Sequence, residues 1–450
     1  MAAGLRTLAR NRLVRTVAVL MSGTAVAQLI TLVLSPILSR QFTPDAFGVL
    51  GLFMALAVLL GTAAPLAYPL AIVVPTDESE ARALTAVALL ATGATTLTVA
   101  LLVATAGERI AATFGSPGLA AVLPWLPLAV MADGVVRTLT FAALRARRPR
   151  QVSAARIAHS GATGALQLGL GATALAPQAL PLGYATGHAI SALFLIWPAW
   201  RDRVRPTFAA VRPLALLASA RRYGNFPRFK LPSQLLAVLG NTATVVVLAL
   251  LFPAGVVGAY ALTRRVVRAP AELVATTLGD AFFARFGELW PTDPQRARRI
   301  WWRTTAALVL IVVPGVTLFA WLAPPTFAWV FGDPWREAGH YARWLALHIG
   351  AAMVARPAMM ALSVVGRQRA ELGFAVGRLA AMLGALVVSA PGGPLAAIAA
   401  YALAGVTINV AMLAFTGQAL ARSDGGQWYA PRENREVAGE VTDPRARRRR

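Results

Sequence analysis

The chain has 450 residues, of which 57% are hydrophobic and only 14% charged, yet its formal net charge is +24. Soluble domains do not reach that apolar content, so soluble enzymes and soluble nucleic-acid binders are excluded. Cysteine is absent, which removes disulfides, iron–sulfur clusters and zinc ribbons as organising elements.

A helix needs roughly 20 apolar residues to cross about 30 Å of hydrocarbon. Twelve runs reach that length, starting near Val17, Ala46, Ala83, Ala121, Ile157, Pro181, Leu231, Val256, Thr304, Arg343, Leu372 and Pro394. The first lacks a small-residue cleavage site after a short core and reads as a retained span. None shows two-residue polar alternation, so the runs predict helices rather than barrel strands. The expected class is therefore an all-α, polytopic membrane protein of about twelve transmembrane helices. Its longest connections on one side are expected around residues 106–120 and 323–342. On the other side, residues 208–219 have the pattern of a surface-lying amphipathic helix. Pro36, Pro65, Pro69, Pro270 and Pro357 are expected to kink helices.

Basic residues collect in every second gap between these runs. One set of alternate gaps holds 33 Lys and Arg residues, the other only Arg40, Arg109, Arg336 and Arg343, and six (Arg137, Arg264, Arg265, Arg268, Arg356 and Arg378) lie inside runs. Basic loops stay cytoplasmic during insertion, so the chain is expected to have both termini on the cytoplasmic side. The expected division is a basic N-terminus (1–16), a six-helix bundle (17–199), a cytoplasmic linker (200–230), a second six-helix bundle (231–417) and a disordered basic tail (418–450).

A weak internal repeat supports two halves. Phe42-Thr-Pro44-Asp-Ala-Phe-Gly48 echoes Phe252-Pro253-Ala-Gly-Val-Val-Gly258 at an offset of 210, and Thr113-Phe114-Gly115-Ser-Pro117 echoes Val330-Phe331-Gly332-Asp-Pro334 at an offset of 217. Six spans per half is an even number, so the halves insert in the same orientation about a pseudo-twofold axis along the membrane normal. Transporters built that way bind substrate between their halves.

The eighth run carries Arg264, Arg265, Arg268 and Glu272 at about 0°, 100°, 40° and 80° around a helix, a single stripe. A central arginine costs on the order of 2.5–3.5 kcal/mol, so three facing lipid would cost about 8–10 kcal/mol. The stripe is therefore expected to face water or partners, and its net +2 suits a diphosphate. A purely structural role, with pairing to Glu272, Asp280 or Asp133, is the alternative. Asp133 and Arg137 stand at i, i+4 in the fourth run and are expected to pair. Asp133, Glu272 and Asp280 are the acids placed inside spans, so ion coupling, if present, involves one of them. His188 and His348 read as hydrogen-bonded interior histidines. No phosphate loop, metal spacing or nucleophile motif is found, so neither an enzyme, a metal site nor a cofactor is expected.

Four stretches carry a family resemblance. They are Leu38-Ser-Arg40-Gln-Phe42-Thr-Pro44-Asp-Ala-Phe47-Gly48; Ala71-Ile-Val-Val-Pro75 with Asp77-Glu78-Ser-Glu80; Tyr223-Gly-Asn-Phe226-Pro227 leading to Tyr260-Ala-Leu-Thr-Arg-Arg265-Val-Val-Arg-Ala-Pro270; and Val330-Phe-Gly-Asp-Pro-Trp335 followed by Gly366-Arg367-Gln368. In order and spacing the chain resembles the bacterial polysaccharide-biosynthesis flippases of the O-antigen (Wzx-like) type. They belong to the multidrug/oligosaccharidyl-lipid/polysaccharide exporter superfamily. The resemblance implies two six-helix bundles around a cavity, and alternating access that moves undecaprenyl-diphosphate-linked oligosaccharide to the periplasmic leaflet. The product would be O-antigen, capsule or exopolysaccharide. Arg265 falls on the family's arginine, while Arg264 and Arg268 are additional. Ala67-Tyr68-Pro69 stands where many relatives have Arg-Tyr-Glu, so any role of that Arg and Glu does not carry over.

The partners expected are the lipid-linked oligosaccharide, membrane lipids and polysaccharide polymerase machinery, with no nucleic acid and a monomeric protein. The rival readings are a cationic-drug antiporter of the same superfamily and a membrane-embedded glycan polymerase or ligase. The first wants cavity carboxylates and the second a sizeable polar outer loop.

Overall fold

In hydrocarbon each unpaired backbone N–H or C=O costs several kcal/mol, and a helix satisfies all but its end groups within one segment. The computed structural model describes residues 12–201 and 213–422, and among these every regular element is helical. In chain order they are α1 (Arg12–Gln41), α2 (Pro44–Ala63), α3 (Glu78–Thr113), the short α4 (Pro117–Val122), α5 (Leu126–Arg145), α6 (Pro149–Gly171) and α7 (Ala176–Arg201). There follow the short α8 (Pro213–Arg222), α9 (Leu231–Leu251), α10 (Ala254–Leu289), α11 (Pro294–Phe331), α12 (Arg336–Val364), α13 (Gln368–Val388) and α14 (Pro394–Arg422). Ten of the twelve long helices are long and apolar enough to cross a membrane. The other two are α6, with Arg156, His159 and Gln167, and α10, with its arginines.

Several helices outrun the apolar runs that predict them. The 36 residues of α3 and the 38 of α11 rise well beyond 30 Å of hydrocarbon at about 1.5 Å each. Helix α3 starts at Glu78, ahead of the expected Ala83, because Asp77 caps it and accepts the amides of Ser79 and Glu80 at 3.2 and 3.3 Å. The Ser79 hydroxyl also donates to that carboxylate and, with the amides, holds it below the usual range. Much of the connection expected at 106–120 is thus helix, as is the first part of 323–342. Pro36, Pro270 and Pro357 lie inside helices, but Pro65 and Pro69 do not kink α2, which ends at Ala63 before them. The amphipathic segment forms a helix at Pro213–Arg222. The basic N-terminus before residue 12, residues 202–212 and the tail beyond 422 lie outside the described residues.

By packing, the chain falls into two units. The first runs to Val266 and takes in Ala323–Ala342; the second holds Val267–Leu322 and the chain from Arg343. In the first, α6 lies between α1 and α7, α5 lies between α3 and α7, and α2 packs on α5, α7 and α9. Lipid tails give apolar helices no hydrophobic reason to associate, so close packing must do it. Small residues permit that packing: a Cβ on Gly134 would stand 2.5 Å from Thr92, and one on Gly187 would stand 2.0 Å from the Thr163 hydroxyl. In the second unit α13 packs on α14, and Phe282, Phe286, Trp290 and Trp301 form a buried aromatic core with Ala358 and Ala361.

At one end of the first unit the two echoed segments meet. Gly48 would place a Cβ 1.9 Å from the carbonyl oxygen of Ala254, and Gly258 would place one 1.8 Å from that of Pro44. Because 254 and 258 are 44 and 48 advanced by 210, the contact is reciprocal, a local twofold made of backbone. Trp335 closes beside it: its indole N–H donates to the Ser39 carbonyl at 2.8 Å, and its ring meets Phe47 edge-on at 4.9 Å. Ser39 donates to Phe331 at 3.1 Å, and Thr263 donates to the Ala338 carbonyl at 2.7 Å. The second echo is also matched in conformation, since Gly115 and Gly332 both have positive φ, 53° and 102°.

At the other end the chain after α2 leaves helical geometry. Leu66 and Ala67 are left-handed, with φ of 50° and 58°, a strain of roughly 1–2 kcal/mol each. Arg145 offsets it. One terminal nitrogen donates to the carbonyls of Ile72 and Pro75 at 3.0 and 2.6 Å, and Nε reaches Glu78 at 3.3 Å; charged hydrogen bonds contribute about 1.5–3 kcal/mol each. Tyr68 donates to the Ala220 carbonyl at 3.1 Å and Arg222 pairs with Glu80 at 2.9 Å, which ties α8 to the same end.

The glycine clasp is testable. Gly258→Val overpacks it by about 1–3 kcal/mol, so a buried Ser39→Cys reporter in detergent should react with maleimide about fivefold or more faster than in the unaltered clasp. An unchanged labelling rate would show that the clasp does not hold this end shut.

Candidate functional site

Charges near the middle of membrane-length helices need partners or water, and three groups of them stand out. The first is the stripe on α10. Leu262, Thr263 and Val267 form the buried face, at 1%, 0% and 8% exposure, which leaves Arg264, Arg265 and Arg268 partly buried. The helix turns its face this way because Thr263 is anchored to Ala338. Arg264 and Arg265 make no hydrogen bond or ion pair among the described residues, whereas Arg268 does have an interaction. The side chains of Glu272 and Asp280 lie outside what is described.

The second group is in the first unit, where α5, α6 and α7 meet. Arg137 Nε donates to Asp133 Oδ2 at 2.9 Å, so Asp133 serves its own helix. On the other side of the carboxylate, His188 Nε2 stands 3.7 Å from Oδ1. The ring centroids of His159 and His188 are 4.0 Å apart, with Tyr184 4.6 Å from His188. A Cβ on Gly61 would meet Asp133 Oδ2 at 2.2 Å, so glycine is what lets α2 close over the carboxylate. His188 Nδ1 lies 3.2 Å from the Tyr184 carbonyl. His159 Nδ1 and the Thr163 hydroxyl are buried without a partner.

The third group is in the second unit, on α12, α13 and α14. The His348 ring lies against Gly405, where a Cβ would be 2.2 Å from Nδ1, and 6.0 Å from the Tyr401 ring. Arg378 donates to Asn409 Oδ1 at 3.5 Å. Tyr184 and Tyr401 differ by 217 positions, the same offset as the second echo. Each unit thus carries a polar layer around equivalent tyrosines.

Sequence reasoning paired Asp133 with Arg137, as observed, and singled out His188, but missed their convergence with His159 and Tyr184, which brings three helices together. It placed Arg378 inside an apolar run without a partner. Asn409, an amide in the middle of an apolar helix, was the available signal.

A family model described as a polysaccharide biosynthesis protein matches residues 37–340. No curated protein matches the sequence. Among solved structures, the fold is similar to a multidrug resistance MATE family transporter of the MOP superfamily in an inward-facing conformation. That match has 13% identity and a TM-score of 0.68, covering 88% of this chain and 96% of that one. It is also similar to the lipid II flippase MurJ in an inward closed conformation, at 11% identity and a TM-score of 0.63, covering 89% and 87%. A MOP superfamily transporter from Pyrococcus furiosus, reported to have a binding pocket of reverse polarity, matches at 13% identity and a TM-score of 0.53, covering 91% and 96%. At these identities the likeness is one of fold.

The Asp133–Arg137 pair makes a stability prediction. Asp133→Asn strands the guanidinium and should cost about 3 kcal/mol, the low end for a broken buried pair, because the Arg137 side chain is 35% exposed. Asp133→Asn with Arg137→Gln should recover most of the loss in thermal unfolding in nanodiscs. A double variant no more stable than the single one would remove the pair as the cause.

Proposed function

The chain belongs to the polysaccharide biosynthesis protein family, and from that premise we propose that it is a flippase for undecaprenyl-diphosphate-linked oligosaccharides. It carries them from the cytoplasmic to the periplasmic leaflet for surface polysaccharide assembly. The fold is shared by the lipid II flippase MurJ and by a multidrug resistance transporter alike; the polysaccharide-biosynthesis family is what supports a lipid-linked cargo over a drug.

The observation that carries the reading is the arginine stripe. Arg264 is the eleventh residue of α10, about 15 Å from the helix start and so near the middle of a bilayer. Two charges held there without described partners favour an anion arriving from elsewhere. Guanidinium stays ionised when desolvated and grips phosphate by parallel hydrogen bonds. A glycan head group cannot cross hydrocarbon unaided, since each unsatisfied polar group costs several kcal/mol. In this mechanism Arg264, Arg265 and Arg268 hold the diphosphate, the sugars follow a polar path, and the prenyl tail stays in lipid. By the basic-loop asymmetry the Trp335 end faces the periplasm, and its glycine clasp must part for release. The chain's own residues thus bind and orient the cargo without making or breaking its bonds.

Reconstitution tests this. With Arg264, Arg265 and Arg268 each changed to Gln, translocation of a lipid-diphosphate sugar should fall about tenfold or more for at least Arg265, one lost charged contact at roughly 1.5–3 kcal/mol. Unchanged rates in all three would exclude the role. Resistance to cationic drugs on expression, with no lipid-linked sugar moved, would instead favour the antiporter.

A further inference from the structure

The two polar layers are built alike but balanced differently. In the first unit Arg137 has Asp133 at 2.9 Å, so the chain supplies its own counter-charge. In the second unit Arg378 has none among the described residues. Its acceptor is the neutral Oδ1 of Asn409 at 3.5 Å, the outer limit of a hydrogen bond. The described acids of that unit are engaged elsewhere: Glu288 with Arg285, Asp293 with the Arg296 amide, and Glu371 with Ser363.

Depth makes the imbalance costly. Arg378 is the eleventh of 21 residues in α13, Asn409 the sixteenth of 29 in α14, and His348 the thirteenth of 29 in α12. All three lie near the middle of their helices. A guanidinium there costs on insertion unless an anion or water meets it.

The remaining polar atoms point the same way. Asn409 is 1% exposed and its Nδ2 is buried without a partner. The amide cannot be turned over, because its NH₂ would then face the guanidinium; carbonyl to arginine leaves two N–H donors free. His348 Nδ1 is likewise buried without a partner. A neutral imidazole carries one N–H to donate. A cation and unspent donors, with no carboxylate among the described residues of the layer, make a site that accepts only an anion.

We propose that Arg378, Asn409 and His348 form a second phosphate-binding station within the second unit, near the middle of α12, α13 and α14 and made of residues other than those of the stripe on α10. Its ligand is a phosphate group, gripped by the guanidinium fork and the Asn409 amide. Phospholipid head groups sit at the interface rather than at this depth, so the diphosphate of a prenyl lipid in transit is the occupant. The identification of that occupant rests on the flippase reading; the phosphate chemistry does not.

The test uses the full chain in phosphatidylcholine nanodiscs, titrated with farnesyl diphosphate and, separately, with inorganic pyrophosphate. In the unaltered protein two farnesyl diphosphate sites are expected. Arg378→Gln should weaken one of them about tenfold or more, Arg378→Lys less so, and Asn409→Ala several-fold, while Arg265→Gln weakens the other. Thermal unfolding shows which variants remain folded, and Asn409→Ala keeps the question open to test if Arg378→Gln does not fold. Wild-type stoichiometry and affinity in the folded Arg378 and Asn409 variants would overturn the station while leaving the proposed function intact. Pyrophosphate binding that depends on Arg378, without any farnesyl diphosphate binding, would uphold the station and sink the lipid-diphosphate cargo.

Discussion

A charge placed in hydrocarbon must be answered within a few ångströms, and most of this molecule's organisation follows from how each one is met. Arg145 is met by carbonyls and a carboxylate at a helix end. Arg137 is met by Asp133 one turn away. Arg343 donates to the Ala320 carbonyl at 3.0 Å. Arg264, Arg265 and Arg378 lack an acidic partner among the described residues, and these three define the functional reading. An intramembrane cation that the fold does not neutralise is costly to keep, which is why we propose that an anion is handled at these positions.

Helix formation was legible because apolar composition dictates it in lipid. The arginine stripe was legible because a 100° turn per residue places positions 264, 265 and 268 together. Helix length was less so. Apolar runs report only the hydrocarbon-crossing part, while α3 and α11 continue through polar sequence; the Asp77 cap was the visible sign of the earlier start of α3. The fate of Pro65 and Pro69 depended on Leu66 and Ala67 taking left-handed geometry, which a non-glycine sequence gives little reason to expect. The His159–His188–Asp133 convergence rests on α5, α6 and α7 packing at one depth, and on Gly61 and Gly187 leaving room. A linear pattern contains the residues but not their meeting.

Packing here relies on what is missing from side chains. Leucine gains little by turning from lipid to protein, so the close contacts fall to alanine, glycine and hydroxyls bonded back to their own helix. Thr92 and Thr138 show this, each donating to a carbonyl one turn back at 2.8 Å. Their polarity is spent internally, and their bulk is small enough for helices to approach.

The Gly48–Gly258 clasp carries a consequence of its own. Main chain rests on main chain there, with no large side chain to rehydrate when the contacts separate, and the Asp45 carboxylate stands beside Gly255. The work of parting those two segments is therefore set by shape, and Asp45 is where acidity enters it. Such a closure re-forms without desolvating a buried ion, since Asp45 is exposed.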